Sequence, residues 1–437
     1  MTLHDGFWRE RLRVLRTETL PLLREQLEER GLPACFDRVA EEKVDIDPPK
    51  ERGQDAMLYA WIESVGHALL AEPGAKERQR LEDDARVLVE RVVAAQRKDG
   101  YLHTPTQLDR NGKPFSDLKS GDEFFCAARM IEAGLAWEQA TGDARLRAAG
   151  VRFAGLLEKR FGESRRTEIG GRPGLSFALA KLARVTERVE TLDFAAALVE
   201  RRGSEKRKKL FGIEWLDDLP PIGSKEARGP LAVAAALYAG LIEISTLTGW
   251  AGFEESSLSP AWDIARRKAQ PSGAVGVSER GLLREGYDWK EGLPLASAGD
   301  TMLLLPWYRG LARATTHPLW FDEIERLWTN VSLAAVSPDG RAFPALPGST
   351  EESESGGADE AFERLRLLST VTEDIYFTDG RENVWLGLYA SSETKLKLGV
   401  NEVTLRIEST VLDDGKVTIH VDPTGIARFM LHVRIPR

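Results

Sequence analysis

The feature that most constrains this chain is a helical hairpin between Gln96 and Gly162. Apolar residues recur there at intervals of three and four, the spacing of one face of an α-helix. The pattern stops at Thr141-Gly142-Asp143 and then resumes, which predicts two antiparallel helices joined by a tight turn. The apolar positions are Phe124, Ala128, Ile131 and Leu135 in the first arm and Leu146, Ala149, Phe153 and Leu157 in the second. One such hairpin cannot bury its apolar faces alone.

Similar amphipathic segments recur before and after this hairpin. A looser copy covers 175–203, and the run LAVAAALYAGLIEISTLTGW after Gly229 repeats the helix followed by Thr-Gly. Further segments are FWRERLRVLRTETLPLLREQLEERG, LYAWIESVGHALLAE, QRLEDDARVLVERVVAAQ, TMLLLPWYRGLARA and PLWFDEIERLWTNVSLAAV. Recurrence of one supersecondary unit indicates a helical array. About ten to twelve helices over roughly 340 residues fit a closed toroid of hairpins.

Length and composition favour one large globular unit with an accessory domain. The chain has 437 residues, more than the about 250–300 that one hydrophobic core usually supports. Hydrophobic residues make up 42% and charged residues 30%. No apolar run approaches the about 20 residues of a membrane span, and the start MTLHDGFWRERLR lacks the apolar core of a signal peptide. We therefore expect a cytoplasmic protein that does not contact a membrane.

Charge and residue counts exclude several other classes of function. A net charge of -9 argues against nucleic acid as a partner, because phosphate binding needs a concentrated basic surface. The six histidines show no metal-binding spacing, and no phosphate-binding or dinucleotide fingerprint occurs. We expect no cofactor and no metal. The oligomeric state is left open.

The periodicity changes near Asp374. Alternating, β-rich runs such as NVWLGLYASSETKLKLG and GKVTIHVD follow, separated by turns rich in Asp and Gly. They predict a small β-sandwich packed on the helices. The acidic stretch GSTEESESGGADEAFE before them predicts a surface loop or a loop over a cleft. The predicted domains are a helical barrel at 1–350, a link of acidic loop and short helix at 351–373, and a β-sandwich at 374–437.

Five sequence features together resemble glycoside hydrolase family 127, the β-L-arabinofuranosidases. They are Phe7-Trp8, LYAWIE, AAQRKDGYLHT, DEFFCAARMIEAG with the later ATGD, and FMLHVRIP. The resemblance implies an (α/α)6 barrel followed by a β-sandwich, with the sugar pocket at one mouth of the barrel. Family members usually continue beyond RIPR, so the β part of this chain looks short.

The resemblance also implies a particular chemistry. In the family a zinc-bound cysteine thiolate is the nucleophile of a retaining glycosidase and a glutamate is the acid/base. A further glutamate and two more cysteines complete the metal site. One of the three cysteines belongs to a Glu-Thr-Cys triplet, and the other two are adjacent to each other.

Aligning the family pattern with this chain places other residues at those positions. The Glu-Thr-Cys triplet falls at Ser297-Ala298-Gly299, the acid/base glutamate at Leu282, and the cysteine pair near Asp359-Glu360. Two family histidines fall at Asp122 and Pro230. The chain has only Cys35 and Cys126, which we expect to be small buried side chains. The zinc-thiolate mechanism is therefore not expected to operate here.

Ordinary glycoside hydrolysis needs only two carboxyl groups flanking the scissile bond. The candidates that the resemblance brings towards the pocket are Asp122, Glu285, Asp288 and Asp300. Asp122 and Asp300 each precede a helical run, so the alternative for both is an N-terminal cap. For Glu285 and Asp288 the alternative is a solvated loop carboxylate.

Aromatic and polar residues near the expected barrel mouth are candidates for substrate binding, because flat rings stack on the apolar faces of sugars. The candidates are Asp55, Tyr59, Trp61, Tyr101, His103, Glu123, Trp289 and Trp307. The alternative is core packing, especially for Trp61 and Trp307, which lie inside apolar helical runs.

Three functions remain open at this stage. The first is a glycoside hydrolase that uses carboxyl groups without zinc, and we consider it the best supported. The second is a carbohydrate-binding descendant that has lost catalysis. The third is a repurposed barrel that performs elimination or cyclisation on a metabolite. All three predict a small sugar, glycoside or related metabolite as ligand, and fold alone cannot separate them.

Overall fold

The structure is a computed structural model that describes residues 1–43, 53–71, 73–118, 121–162, 169–202, 221–279, 281–287, 294–349, 358–424 and 428–436. Its helices, numbered in chain order, are α1 Phe7–Val14, α2 Leu20–Glu29, α3 Leu32–Ala40, α4 Gln54–Leu70, α5 Ala75–Ala95, α6 Thr104–Leu108, α7 Glu123–Thr141, α8 Arg145–Phe161, α9 Gly174–Thr186, α10 Val189–Glu200, α11 Leu231–Thr248, α12 Ala251–Asp263, α13 Ala298–Met302, α14 Leu304–Thr315, α15 Pro318–Arg326 and α16 Ala358–Leu368. Short π-helical segments, Leu15–Thr19, Ile264–Lys268 and Leu327–Ser332, continue α1, α12 and α15.

In the described ranges, six of these helices form an inner ring. Helix α4 contacts α7, α7 contacts α9, α9 contacts α11, α11 contacts α14, and α16 returns to α4. The short α13 contacts α11, α14 and α16 and thereby completes the ring. Helices α5, α8, α10, α12 and α15 each contact an inner helix and form an outer layer. This arrangement confirms the predicted (α/α)6 barrel.

Burial follows the two layers. Every residue of α4 from Gln54 to Leu69 is buried, because an inner helix has neighbours on all sides and must be compatible with burial all round. The outer helix α5 buries only a stripe that includes Leu81, Ala85 and Leu88 and exposes its charged face. The core of the barrel therefore lies among the inner helices and between them and the outer layer.

The hairpin predicted between 96 and 162 is present as α7 and α8. Gly142, after α7, has a φ of 77°, the left-handed conformation that commonly ends a helix. A Cβ on Gly134 would lie 2.8 Å from the Cα of Arg147, and one on Gly66 would lie 2.8 Å from the carbonyl carbon of Ala136. Glycines thus permit the close packing of α7 against α8 and of α4 against α7.

The strands form two sheets in the described residues. Their bounds are β1 Thr2–Leu3, β2 Tyr376–Thr378, β3 Asn383–Leu386, β4 Ser392–Leu398, β5 Asn401–Thr410, β6 Lys416–Thr424 and β7 Met430–His432. The orders are β1-β4-β5-β6, which is antiparallel throughout, and β2-β3-β7, in which β3 and β7 are parallel. Val384 of one sheet packs with Val403 and Leu405 of the other. This small core agrees with the expected C-terminal sheet region, although strand β1 from the N-terminus was not anticipated.

The predicted link at 351–373 contains a barrel element. Residues 350–357 lie outside the described ranges, so the acidic loop is not described. The helix that follows, α16, contacts α4 and is a member of the inner ring. The exact domain boundaries stay predictions.

Within the described ranges, one helix is long and apolar enough to cross a membrane. It is α11, Leu231–Thr248, and 67% of this stretch is buried inside the protein. The expectation that no apolar run approaches a membrane span was therefore wrong, for a physical reason: an inner barrel helix is apolar all round. The cytoplasmic location stays a prediction.

Candidate active site

A cavity of about 440 Å³ opens where the inner helices begin. Its wall comes from the first turns of the ring helices and the residues before them. The lining residues are Gly53, Ala56, Met57, Ala60, Phe125, Arg129, Arg172, Pro173, Gly174, Ala232, Val233, Ala236, Ser297, Gly299, Asp300, Leu303, Glu360, Phe362 and Glu363. This volume lies within the range of small-molecule sites.

Three carboxyl-bearing residues line the cavity: Asp300 on α13, and Glu360 and Glu363 on α16. Glu360 Oε1 accepts a hydrogen bond from the Gly299 backbone N–H at 3.1 Å and one from Arg364 Nη2 at 2.8 Å. Arg364 is fully buried. Two donors on one oxygen favour the ionised form of the Glu360 carboxyl group. This wall therefore holds a fixed carboxylate.

Ion pairs cross the barrel at the cavity wall, to which Arg129 and Glu363 both belong. Arg129 on α7 pairs with Glu363 on α16 through Nε and Oε1 at 2.9 Å, and also with Glu132. Arg366 pairs with Glu363 at 2.9 Å and with Glu63 at 3.4 Å. Burial opposes ionisation of Glu363, but Arg129 and Arg366 outweigh it and hold the pKa of this carboxyl below its usual value. Glu363 is thus an ionised structural partner of the two arginines.

Asp300 and Asp122 were predicted either to be catalytic or to cap helices. The side chain that caps α13 is that of Ser297, whose Oγ accepts the Asp300 N–H at 3.0 Å. Asp122 precedes α7 but makes no side-chain cap there. It accepts instead from His103 Nε2 at 2.9 Å and from the Gly53 N–H. The capping interpretation was wrong for both residues, and of the two only Asp300 lines the cavity.

The other two predicted carboxylates lie elsewhere. Glu285 is exposed and is not among the cavity-lining residues. Asp288, like the predicted substrate-binding Trp289, lies outside the described residues. A catalytic role for Glu285 or Asp288 stays a prediction.

Several predicted binding residues form a buried polar network beside the cavity. Asp55 accepts from the Thr104 N–H at 2.7 Å, and burial raises the pKa of its carboxyl. Burial disfavours the charged imidazole of His103, but the hydrogen bond with Asp122 prevails and raises the pKa of His103. These contacts fix the start of α4 to the segment before α6.

A second polar contact joins Tyr101 and Glu123. The Tyr101 hydroxyl donates to Glu123 Oε1 at 2.5 Å, and the Phe115 N–H donates to the same carboxylate at 2.8 Å. Tyr101 is 1% exposed. Neither residue lines the 440 Å³ cavity; the pair instead joins the segment before α6 to the start of α7.

The remaining predicted aromatic residues lie in the core. Trp61 Nε1 donates to the Leu20 carbonyl at 2.9 Å, and Trp307 Nε1 donates to Ser257 Oγ at 2.8 Å. Tyr59 packs edge-on against Phe36. The three rings of Tyr59, Trp61 and Trp307 are at most 1% exposed. The structure places them in the barrel packing and not among the residues that line this cavity. A role for them in substrate binding stays a prediction.

The residues at the family's zinc position do not suit a zinc-thiolate site. Gly299 stands where the cysteine of the Glu-Thr-Cys triplet is expected, and a Cβ there would lie 2.8 Å from Glu360 Cγ. The Glu360 carboxylate already binds the Gly299 N–H and Arg364. Neither Cys35 nor Cys126 lines the cavity, and both are buried. No thiolate is available at this position.

Three other side chains that carry potential metal-ligand atoms lie close together outside the cavity lining. His103, Asp122 and Cys126 place one potential ligand atom each within 4.8 Å of the others. Hydrogen bonds already occupy Asp122 and His103. Burial raises the pKa of the Cys126 thiol well above its usual value, which keeps it protonated. The trio therefore fits a hydrogen-bonded core better than a metal site.

Glu360, Glu363 and Arg172 line the cavity but were not predicted from the sequence. For Glu360 a signal existed, since the family register places the cysteine pair near Asp359-Glu360. Glu363 and Arg172 carry no comparable signal, because one sits on an ordinary amphipathic helix and the other in a loop.

Comparison with known proteins connects this barrel to one family. Residues 1–346 match the family described as β-L-arabinofuranosidase, GH127 catalytic domain. The non-reducing end β-L-arabinofuranosidase of Bifidobacterium longum subsp. longum is 25% identical in an alignment of 318 residues that covers 66% of this chain and 47% of that protein. The chain thus spans about half the length of that relative.

Solved structures agree on the fold. A GH127 β-L-arabinofuranosidase from Geobacillus stearothermophilus T6 superposes with a TM-score of 0.91 at 22% identity, covering 99% of this chain and 74% of that one. Another GH127 β-arabinofuranosidase gives 0.85 at 21% identity, covering 99% and 70%. The matched family and the shared barrel lead to one conclusion: the chain belongs to glycoside hydrolase family 127.

Proposed function

We propose that this chain hydrolyses a glycoside in the cavity with the carboxyl groups of Asp300 and Glu360 rather than with a zinc-bound thiolate. The observation that carries the proposal is the position of Glu360. Its carboxylate is bound to the N–H of Gly299, the residue at which the family pattern has the cysteine of its Glu-Thr-Cys triplet, one of the cysteines of the zinc site. Asp300, the next residue, lines the same cavity.

The two carboxyl groups can divide the work of hydrolysis. Glu360, ionised by its two donors, places negative charge beside the sugar and acts as nucleophile or as base towards water. Asp300 donates its proton to the oxygen of the leaving group, so that the glycosidic bond breaks without releasing an alkoxide. A water molecule supplies the hydroxyl of the new reducing end. When Glu360 is the nucleophile, the proton of this water returns to Asp300; when Glu360 is the base, it takes that proton, and exchange with solvent restores both carboxyl groups.

Two further positions support a departure from the family's mechanism. The register places the family's acid/base glutamate at Leu282 and one of its histidines at Pro230. In the structure these residues are bridge partners, and the Leu283 N–H donates to the Gly229 carbonyl at 2.8 Å. Both positions are apolar here, so neither can transfer a proton.

The proposal is tested with a panel of 4-nitrophenyl glycosides that includes the β-L-arabinofuranoside. We expect Asp300→Asn and Glu360→Gln each to lower kcat/KM on the cleaved glycoside by at least about 100-fold. The matched controls are Asp193→Asn on α10 and Glu255→Gln on α12, both exposed outer residues, and these should retain wild-type activity.

The same panel separates the alternatives. If Glu285→Gln or Asp288→Asn abolishes activity while the Asp300 and Glu360 variants remain active, the carboxyl pair is wrong. If sugars bind and no glycoside is cleaved, the chain is a carbohydrate-binding descendant. If a substrate is consumed without uptake of solvent ¹⁸O into the product, the chemistry is elimination or cyclisation.

A further inference from the structure

We propose that the substrate carries an anionic group, a carboxylate or a phosphate on the sugar, and that Arg172 binds it. This inference deepens the proposed function, on which it rests, by naming the substrate class. The cavity distributes its charges between two walls.

Arg172 is an exposed cation on the wall formed by α7 and α9. It lines the cavity, and its guanidinium carbon lies 4.6 Å from the centre of the Phe125 ring. Among the residues that the structure describes, no carboxylate or carbonyl oxygen is bonded to this guanidinium. A stacked guanidinium keeps its planar edge available, and that edge matches the two oxygens of a carboxylate or phosphate.

The other arginine on this wall differs in its charge balance. Arg129 also stacks on Phe125, at 5.2 Å, but Glu132 and Glu363 compensate its charge. It is 6% exposed and is fixed by these pairs. Of the two guanidinium groups on Phe125, that of Arg172 is therefore the one whose charge is uncompensated in the described structure.

Two helix ends add positive potential on the same side. Helix α9 begins at Gly174 and α11 at Leu231, and residues from both first turns line the cavity. Their preceding residues are Pro173 and Pro230, which make no side-chain cap. The first backbone N–H groups of a helix have no partner within the helix and favour negative charge nearby.

The acidic wall lies elsewhere on the ring. Asp300 and Glu360 belong to α13 and α16, which contact each other, whereas Arg172 precedes α9, which contacts α7 and α11. A neutral sugar would leave the Arg172 charge without a partner. A sugar with one anionic substituent is oriented by this asymmetry, with the anion at Arg172 and the scissile bond towards Asp300 and Glu360.

Binding of free monosaccharides tests this without any turnover. Isothermal titration is carried out with D-galacturonate, D-glucuronate and galactose 6-phosphate, each against the neutral D-galactose or D-glucose. We expect at least one anionic sugar to bind about tenfold or more tightly than its neutral counterpart. The uronates and the phosphate distinguish a carboxylate site from a phosphate site.

Variants locate the contact. Arg172→Gln should remove the preference for the anionic sugar, and Arg172→Lys should restore only part of it. The control is Arg266→Gln, because Arg266 is also exposed and stacked on a ring, Trp262, at 3.8 Å, but on an outer helix. Equal binding of neutral and anionic sugars, or a preference unchanged in Arg172→Gln, overturns the inference.

Two experimental outcomes distinguish failure of the anion site from failure of the proposed hydrolase function. If Asp300→Asn binds the anionic sugar as tightly as wild type and neither protein cleaves any glycoside, the hydrolase proposal fails while the anion site stands. If glycosides of neutral sugars are cleaved with the expected dependence on Glu360, the hydrolase proposal stands and the anion site fails.

Discussion

Replacing Gly299 by alanine should displace the Glu360 carboxylate. The added Cβ would lie 2.8 Å from Glu360 Cγ and 2.9 Å from its Oε1, against about 3.5 Å for an unstrained contact between carbon atoms. The glutamate side chain can rotate more easily than the helix can shift, so Glu360 moves and loses the Gly299 N–H. A hydrogen bond to a charged group contributes about 1.5–3 kcal/mol. The corresponding loss in rate is roughly 10- to 150-fold.

The assay is kcat/KM on the glycoside that the wild-type protein cleaves, with thermal unfolding measured in parallel. Because the effect acts through Glu360, the double variant Gly299→Ala/Glu360→Gln should be no less active than Glu360→Gln alone. The control is Gly155→Ala in α8, where no described atom lies within 4 Å of an added Cβ. Wild-type activity in Gly299→Ala, or additive losses in the double variant, would show that the substitution does not act by displacing Glu360.

Two further predictions concern pH. Burial opposes ionisation of Glu63, but Arg366 outweighs it and lowers the pKa of that carboxyl from 4.5 to about 2. Glu63→Gln should cost roughly 3 kcal/mol at pH 7, and its unfolding midpoint should converge with that of wild type as the pH falls from 5 towards 2. The control is Glu25→Gln on α2, an exposed residue, whose unfolding midpoint should follow that of wild type at every pH. Asp122→Asn removes the partner that raises the pKa of His103. A raised histidine pKa stabilises the folded protein at low pH, and this stabilisation is lost as the pH rises. Asp122→Asn should therefore lower the free energy of unfolding more at pH 6 than at pH 9. An equal loss at both pH values contradicts a stabilising ion pair between His103 and Asp122.

The scaffold was predictable because its signals are local. Helical spacing and the Thr-Gly breaks identified α7, α8 and α11, and Gly142 ends α7 with the expected left-handed conformation. Helix α16 was predicted only as part of a link, since its membership of the ring depends on contact with α4, far away in sequence. Strand β1 was missed for a similar reason: two residues, Thr2 and Leu3, become a strand only by pairing with Glu393 and Ser392.

The candidate site was less predictable. Of the predicted acids, the structure places Asp300 on the cavity wall, where the resemblance had placed its helix. Glu363 and Arg129 meet across the barrel at 2.9 Å, and no sequence pattern marks two such residues among 69 acidic and 60 basic ones. Trp61 and Trp307 were predicted as binding residues but lie in the core. The sequence of an apolar helix is the same whether its aromatic ring faces a ligand or the core.

In the proposed function, carboxyl groups and not a zinc-bound thiolate hydrolyse the glycoside. The most direct test is kcat/KM on the cleaved glycoside before and after exhaustive dialysis against a zinc chelator, with zinc content measured on the same samples. We predict the same kcat/KM, within about twofold, in zinc-free protein, since the groups at Gly299 and Glu360 supply no thiolate. Activity that disappears with the zinc and returns when zinc is added would contradict the account.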